Sequence, residues 1–257
     1  NGALPLPTPI MRDAPPIREA FVESLDHEGR GVSRVDGKTI FIEGALPGER
    51  VSFAPYKVKP NYEQAEVVRV LEASAQRVEP ACEYFGVCGG CSMQHLEPSA
   101  QVAAKQRVLE NALWHIGRVR PEVLYPAIVG PSWGYRYRAR LTVRQVPSKG
   151  GILIGFHERR SSYISDMRRC PILPPHVSAL LPALHDLVAG LSIPDRIPQI
   201  EVAVGEGITV LVFRHLLPLT KKDEALLRAF GEAAGVQVWL QLTGPDSCRR
   251  LHPADAP

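Results

Sequence analysis

Three cysteines lie close together in the sequence, with glycines between them. Cys82, Cys88 and Cys91 form a C-x5-C-x2-C run, and glycine occupies positions 86, 89 and 90 within it. Glycine lets the backbone wrap tightly around a bound group and direct amides toward its sulfur atoms. The 257 residues contain only 5 cysteines, too few for a disulfide scaffold. The spacing therefore indicates a metal site.

A site built on three thiolates needs a fourth ligand, and Cys170 is the leading candidate. It precedes a proline at the end of a strand region and follows Arg168 and Arg169, whose positive charge favours the thiolate. Four cysteines can bind zinc or an iron-sulfur cluster. Structural zinc commonly uses two close cysteine pairs, whereas one local triad with a distant fourth cysteine favours a 4Fe-4S cluster. Zinc and unligated buried cysteines stay open as alternatives.

Two other roles for cysteine are not indicated. The C-x3-C-x2-C spacing typical of radical enzymes that use S-adenosylmethionine is absent from the sequence. Cys248 lies in a polar stretch without a partner pattern, so we interpret it as an incidental thiol.

Basic residues are concentrated in the middle of the chain. The formal net charge is only +3, yet residues 105–170 contain 13 Lys and Arg against 4 Asp and Glu. Such an excess attracts polyanions and makes their binding salt-dependent, because each neutralised phosphate releases counterions. The alternative is an ordinary solvated surface that is balanced by acidic residues from the flanking segments.

A predicted strand between residues 135 and 143 arranges part of this charge, because successive strand side chains point to opposite faces. One face would carry Tyr135, Tyr137, Ala139, Leu141 and Val143, and the other Arg136, Arg138, Arg140 and Arg144. The residues predicted to contact the phosphates of a polyanion are Arg136, Arg138, Arg140, Arg159 and Arg160, with salt bridges or packing as their alternative role. Aromatic rings that suit base stacking are those of Tyr84, Phe85, Tyr135 and Tyr137, although such rings more often fill a core.

The remaining patterns divide the chain into segments. Residues 1–16 are rich in proline and are typical of a tail or linker. Residues 17–76 alternate short β-rich runs with Gly and Asp turns, which fits a small OB-like barrel or another small β sandwich. Residues 97–118 have apolar side chains at helical spacing, so an amphipathic helix with an unpartnered apolar stripe is expected.

Residues 77–96 and 119–257 are expected to form a second, central domain. Strands alternate there with helices near 176–189 and 221–234, and the pattern dissolves after Thr243. The predicted fold class is therefore α+β, with a small barrel followed by a mixed domain that carries the cysteines.

Composition excludes fibrous and membrane-spanning classes. The longest apolar runs, Ile208–Phe213 and Val236–Leu240, are far shorter than the roughly 20 residues that cross a bilayer. The first residues have neither an initiator Met nor the basic-then-apolar order of a secretory leader. We expect a cytoplasmic protein that has been cut at its front.

Together these motifs resemble those of the bacterial 23S rRNA (uracil-5-)-methyltransferases. The likeness runs in order along nearly the whole chain and rests on the barrel, the C-x5-C-x2-C run, the arginine strand from Tyr135 to Arg140, Gly155-Phe156-His157 and Cys170-Pro171. The resemblance implies that the barrel is a TRAM domain and that the barrel and central domain bind 23S rRNA. It also implies that a 4Fe-4S cluster is held by Cys82, Cys88, Cys91 and Cys170.

The same resemblance implies catalytic parts that this sequence lacks. Members continue into a Rossmann-like domain that supplies the S-adenosylmethionine site, a cysteine that adds to carbon 6 of uracil, and a base that removes the proton from carbon 5. Gly205-Glu206-Gly207 lies between two strands and does not open a helix, as a nucleotide-binding loop must. We predict no catalytic or S-adenosylmethionine-binding residue in this chain, no activity for it alone, and packing of helix 97–118 on the missing domain.

Two other functions stay open at this point. The chain could be a stand-alone RNA-binding iron-sulfur protein without a catalytic extension. It could also come from a uracil-5 methyltransferase whose substrate is tRNA, although by resemblance the presence of the barrel favours rRNA.

Overall fold

The structure is a computed structural model that describes residues 16–254. The predicted proline-rich tail, apart from its last residue, lies outside the described residues. The described chain forms two compact units. One comprises the residues through Val78 together with His95–Glu122, and the other comprises Glu79–Gln94 and the residues from Val123 onward.

The first unit is built on a six-stranded sheet with the order β1-β5-β6-β4-β3-β2. Its strands are β1 (Arg18–Phe21), β2 (Ser24–Leu25), β3 (Gly31–Val35), β4 (Lys38–Glu43), β5 (Arg50–Val58) and β6 (Tyr62–Glu72). The two edge strands are consecutive in the chain. The Val22 amide donates to the Glu49 carbonyl on the β5 side, and the Glu23 amide donates to the Val32 carbonyl on the β3 side. The junction between β1 and β2 is therefore hydrogen-bonded on both of its sides.

A small apolar core and one buried carboxylate hold this unit together. The core consists of Ala20, Val22, Ile40, Ile42, Ala45, Val51, Phe53 and Ala65. Gly31 is required at the closest approach, since a Cβ there would lie 2.8 Å from Val22 Cγ1. The buried Glu49 carboxylate accepts hydrogen bonds from the Leu46 and Ser74 amides and from the Arg77 guanidinium. Burial alone would raise the pKa of Glu49. The hydrogen-bond donors lower it by more than burial raises it, so the pKa lies below its ordinary value.

The helix predicted over residues 97–118 is present in this unit as α1 (Pro98–Asn111), followed by a π-helical turn at Ala112–Ile116. It begins after Glu97, whose carboxylate accepts hydrogen bonds from the amides of Ser99 and Ala100. Ala100 is its one buried residue in the described structure, and Leu109 is 54% exposed. The apolar stripe is thus largely uncovered.

The second unit contains a seven-stranded sheet with the order β13-β12-β11-β10-β7-β8-β9. Its strands are β7 (Arg138–Val146), β8 (Gly151–His157), β9 (Ile164–Asp166), β10 (Gln199–Gly205), β11 (Ile208–Arg214), β12 (Gln237–Gln241) and β13 (Arg249–His252). Two helices, α2 (Pro175–Ala189) and α3 (Lys221–Ala234), complete the unit. Strands β11 and β12 are parallel because α3 forms the crossover between them, and the other pairs are antiparallel.

Both helices pack on one face of this sheet. Helix α2 contacts β8, and α3 contacts β12 and β13. The core between them includes Leu141, Ile200, Leu211, Phe213 and Val238 of the sheet with Val177, Leu181, Leu184 and Leu227 of the helices. We call the other side of the sheet the open face. It carries Arg138, Arg140, Thr142 and Arg144 of β7, Gln199, Glu201 and Ala203 of β10, Val210, Val212 and Arg214 of β11, and Gln237, Trp239 and Gln241 of β12.

These features confirm the α+β class, while closure of the first sheet as an OB-like barrel and the predicted domain boundaries stay predictions. Two details of the sequence interpretation are wrong. The arginine strand begins at Arg138 rather than Tyr135, and the supposedly patternless end of the chain contains β13. No described helix is long and apolar enough to cross a membrane.

A buried carboxylate at the start of α3 gives the first prediction. Asp223 is 1% exposed and accepts hydrogen bonds from both the amide and the hydroxyl of Ser192 and of Thr220. Burial raises the pKa of Asp223, but these donors lower it more, to about 2. The carboxylate therefore stabilises the fold above pH 3.8, its ordinary pKa, and this contribution is lost as the pH falls toward 2.

We expect Asp223→Asn to lower the free energy of unfolding at pH 7 by about 1–3 kcal/mol, because buried donors lose a charged acceptor. Urea unfolding followed by tryptophan fluorescence measures this difference, which should shrink as the pH falls toward 2. The control is Asp195→Asn, whose exposed carboxylate pairs with Arg196 and whose loss should cost less than about 0.5 kcal/mol. Equal stability of the Asp223 variant and the parent at pH 7 would contradict the prediction.

Candidate metal centre

The cysteine run lies in a loop of the second unit that docks against the end of β8. The Gly89 amide donates to the His157 carbonyl, and the Arg159 amide donates to the Val87 carbonyl, each at 2.8 Å. These bonds flank an isolated bridge between Cys88 and Glu158. A Cβ on Gly89 would lie 2.9 Å from the His157 oxygen, so only glycine allows this approach.

This docking brings the cysteine run to the segment that carries Cys170. Cys82, Cys88, Cys91 and Cys170 line one pocket of about 280 Å³, a volume that includes space open to solvent. Phe85, Gly90, Gln94, Phe156, Met167 and Ile172 complete the lining, which we call the cysteine pocket. Sulfur atoms from two distant stretches of sequence therefore share one largely apolar environment.

Burial raises the pKa of three of these thiols. The pKa of Cys170 rises to about 11, and those of Cys88 and Cys91 are also above their ordinary value. In each case desolvation of the thiolate is the main cause, and the negative charge of a neighbouring cysteine adds to it. A thiolate in this pocket therefore requires compensating positive charge.

Hydrogen-bond donors point at the sulfur atoms and oppose the effect of burial. The amides of Ile172 and Leu173 donate to the Cys170 sulfur, and each lowers the pKa of that thiol. The Gly90 amide donates to Cys88 Sγ at 3.4 Å, and the Gln94 side chain donates to Cys91. Donors of this kind stabilise sulfur in its anionic, metal-binding form. The sequence interpretation predicted the amide donors around the glycines but missed Gln94.

Two arginines lie beside the cysteine pocket and contact residues that line it. The Arg159 guanidinium donates to the Cys91 carbonyl at 2.6 Å and lies 5.3 Å from the centre of the Phe85 ring. The Arg136 guanidinium lies 4.5 Å from the centre of the Phe156 ring. Both positive charges lower the pKa of Cys91, although burial outweighs them. These two residues, predicted from the sequence as phosphate contacts, thus also support the cysteine loop.

Within residues 16–254, no group of three or more His, Cys, Asp or Glu side chains is arranged so that it could hold a metal ion. The donor set of the cysteine pocket nevertheless fits an iron-sulfur cluster in its chemistry. Four sulfur atoms, an apolar lining and several N–H donors to sulfur are the features that such a cluster requires.

The other predicted phosphate contacts lie elsewhere in the second unit. Arg138 and Arg140 are exposed on the open face, where Arg140 pairs with Glu201 at 3.3 Å. Arg160 is exposed just after β8 and has a positive φ of 54°. The structure therefore does not form one continuous stripe from the five predicted arginines.

The aromatic residues depart from the predicted alternation. Tyr135 and Tyr137 are 48% and 53% exposed, whereas Arg136 is half-buried on Phe156. The reason is that the backbone before β7 is held by the neighbouring loop, since the Arg136 amide donates to the Ile172 carbonyl. Tyr84 packs against the core, and its hydroxyl accepts a hydrogen bond from the Arg168 amide.

Cys248 lies apart from the cysteine pocket and is exposed. Burial raises the pKa of this thiol, and the negative charge of Glu201 raises it further. This environment opposes the thiolate that a nucleophile would need. It agrees with the interpretation of Cys248 as an incidental thiol.

The docking of the cysteine loop gives the second prediction. In Gly89→Ala the added methyl group cannot coexist with the His157 carbonyl, so the loop should detach from β8 and expose its thiols. Titration of the metal-free chain with a thiol reagent should show Cys82, Cys88 and Cys91 reacting at least about tenfold faster, because thiolate formation and access both increase. Gly244→Ala is the matched control, since nothing lies within 4 Å of its added Cβ. Unchanged reaction rates in the Gly89 variant would contradict this role for the loop.

Comparisons with known proteins identify relatives of this chain. The model of the TRAM domain family matches residues 17–68, which form most of the first sheet. The chain is 68% identical over 237 residues to the 23S rRNA (uracil(1939)-C(5))-methyltransferase RlmD of Aromatoleum aromaticum, covering 92% of this chain and 55% of that protein. The protein of the same name from Cupriavidus necator is 60% identical over 91% of this chain, and 55% of it is covered.

A solved structure shares the fold at low sequence identity. It is the crystal structure of Pyrococcus abyssi tRNA (uracil-54, C5)-methyltransferase in complex with S-adenosyl-L-homocysteine. The likeness has a TM-score of 0.59 at 18% identity and covers 89% of this chain and 52% of that one.

The chain spans about half the length of these relatives. Its similarity to them nevertheless extends over more than nine-tenths of its own residues and includes the TRAM domain. The resemblance inferred from the motifs is thereby confirmed, and the relatives that this chain matches are the 23S rRNA (uracil-5-)-methyltransferases.

Proposed function

We propose that this chain is the RNA-binding and cluster-bearing part of an enzyme that methylates carbon 5 of a uridine in 23S rRNA with S-adenosylmethionine. The observation that carries the proposal is the 68% identity to relatives named for that reaction. The chain supplies the surface that holds the RNA. The nucleophile, the base and the S-adenosylmethionine site belong to the part of the relatives that has no counterpart here.

We propose that Cys82, Cys88, Cys91 and Cys170 hold a 4Fe-4S cluster. Support comes from the shared pocket, from the amides directed at the Cys170 sulfur and from the apolar lining. The cluster would supply the positive charge that thiolates need in this partly buried pocket.

The cluster's proposed role is structural. The cysteine loop and the segment around Cys170 pack in one core and are joined by the hydrogen bond from the Arg168 amide to the Tyr84 hydroxyl and by the exposed ion pair between Glu83 and Arg169 at 3.2 Å. Bonds from one cluster to both segments would hold them together far more firmly. The arginines beside the pocket would then keep a fixed position relative to the RNA.

RNA binding is proposed for Arg136, Arg138, Arg140, Arg159 and Arg160 together with the TRAM domain. Support comes from the excess of basic residues in this part of the chain and from the exposure of Arg138 and Arg140. We also propose that α1 and the following turn pack on the catalytic half of the enzyme, because their apolar side chains are largely uncovered. Since the proposed substrate is ribosomal RNA, the proposed location is the cytoplasm.

One alternative is an enzyme that catalyses the same methylation with tRNA as its substrate. The structure with the same fold is named for tRNA, which is the observation that favours a tRNA substrate. That likeness has 18% identity, whereas the relatives at 60–68% identity are named for 23S rRNA. Ribosomal RNA is therefore the better-supported substrate.

The cluster gives the third prediction. Chain purified without oxygen should contain about four iron atoms and four acid-labile sulfides, and Cys88→Ala should lose most of both, because alanine supplies no atom that can bind iron. Iron and sulfide assays measure this directly. Cys248→Ala should leave both unchanged, since that thiol lies outside the cysteine pocket. Stoichiometric zinc without iron, or an unchanged iron content in the Cys88 variant, would rule out the proposed ligand set.

The reaction gives the fourth prediction. The whole protein, encoded by the gene from which this chain comes, should transfer a labelled methyl group from S-adenosylmethionine to unmodified 23S rRNA. The 257 residues alone should show no transfer, because they lack the proposed catalytic parts. Unmodified tRNA serves as the competing substrate. Preferential methylation of tRNA by the whole protein would support the alternative substrate. Methyl transfer by the 257 residues alone would contradict the proposal that the catalytic parts lie outside them.

A further inference from the structure

The open face of the second sheet places an aromatic ring among arginines. The pairing of β7, β10, β11 and β12 sets Arg140, Glu201, Val212 and Trp239 in one row across this face. Two flanking rows run from Arg138 through Ala203 and Val210 to Gln237, and from Thr142 through Gln199 and Arg214 to Gln241. Side chains in directly paired positions lie on the same side of a sheet, so these rows form one surface.

The centre of this surface is apolar and only half-covered. Val210, Val212 and Trp239 are each partly exposed, whereas their neighbours on the helix side, Leu211 and Val238, are fully buried. The Trp239 indole N–H donates to Gln237 Oε1 at 3.0 Å, which satisfies its polar atom and fixes the ring on the sheet. The Arg250 guanidinium of β13 lies over this ring, 5.9 Å from its centre. A base that stacks on the partly exposed ring would therefore lie beside this cation or displace it.

The edges of the surface are basic. Among the residues of β7, β10, β11 and β12 on the open face, Glu201 is the one acidic side chain, and it is already paired with Arg140. Arg138, Arg144 and Arg214 have no ion pair within residues 16–254. Their guanidinium groups therefore present uncompensated positive charge on both sides of the apolar centre.

We propose that the open face binds single-stranded RNA, with a base stacked on Trp239 beside Val212 and with phosphates at Arg138 and Arg214. The positive charge of the surface favours binding of a polyanion. A ring that lies between guanidinium groups and can stack on a base favours a nucleic acid with unpaired bases. Trp239 lies three strands from β7, about 14 Å at the usual strand spacing, so a short run of nucleotides spans the surface. The inference rests on the proposed function, because it names where that enzyme's RNA lies.

The test is binding of a fluorescein-labelled single-stranded oligouridine to the full chain. Trp239→Leu should weaken binding by about tenfold through loss of stacking, while Trp239→Phe keeps an aromatic ring and should restore most of it. Arg214→Gln should weaken binding and lower the salt dependence by about one counterion. Lys222→Gln is the matched control, since Lys222 lies on α3, which packs on the other side of the sheet.

A second readout identifies stacking itself. With Trp114 and Trp133 replaced by Phe, Trp239 is the remaining tryptophan of the chain, and RNA should quench its fluorescence. Because this variant keeps the face intact, the measurement does not depend on whether Trp239→Leu folds normally. Equal quenching by duplex RNA of the same length would contradict recognition of unpaired bases.

The outcomes separate this inference from the proposed function. Unchanged affinity of Trp239→Leu and Arg214→Gln, with no quenching of Trp239, would overturn the RNA surface even if the whole protein methylates 23S rRNA. If the open face is protected from solvent in the whole protein without RNA, the other half of the enzyme covers it. That result would also overturn the inference. Failure of the whole protein to methylate any RNA would instead defeat the proposed function.

Discussion

The structure of the second unit depends on the approach of the cysteine loop to the end of β8. The contact between Gly89 and the His157 carbonyl leaves no room for a side chain, and it sets Cys88 against the strand. Cys170 reaches the same pocket from the loop after β9. The cost of this arrangement is the burial of thiols whose pKa rises, to about 11 for Cys170. Only a bound group with positive charge makes such a pocket favourable for thiolates, and this requirement links the fold to the proposed cluster.

The same contacts tie the pocket to the surfaces proposed for RNA. Arg159 holds the Cys91 carbonyl, and Arg136 stacks on Phe156 at the pocket wall. Two residues further along, the chain enters β7 and presents Arg138 and Arg140 on the open face. A group that fixes the pocket would therefore fix the start of the basic surface as well. This connection gives a physical reason for an RNA-binding unit to contain a cluster without any redox role.

Much of this architecture could be predicted from local patterns. Helix α3 has a capping box at Thr220 and Asp223 and ends at Gly235 in the left-handed conformation, so both of its ends follow from the sequence. The glycines of the cysteine run likewise predicted a tight loop, and Gly89 makes the close approach to the His157 carbonyl. In contrast, β13 is a short strand whose partner is set by the parallel pairing of β11 and β12, and no local pattern encodes that. The alternation at Tyr135 failed because a distant loop holds the backbone at Arg136, and the roles of Gln94 and Arg159 likewise arise from contacts between distant segments.

The central claim is that four cysteine sulfurs act as one ligand set for one iron-sulfur cluster. It is tested most directly by the Mössbauer spectrum of the chain produced with isotopically enriched iron and kept free of oxygen. The account predicts the spectrum of a single cubane cluster that contains all the bound iron. A spectrum of isolated iron ions, or of a cluster that persists unchanged when Cys170 is replaced by alanine, would contradict it.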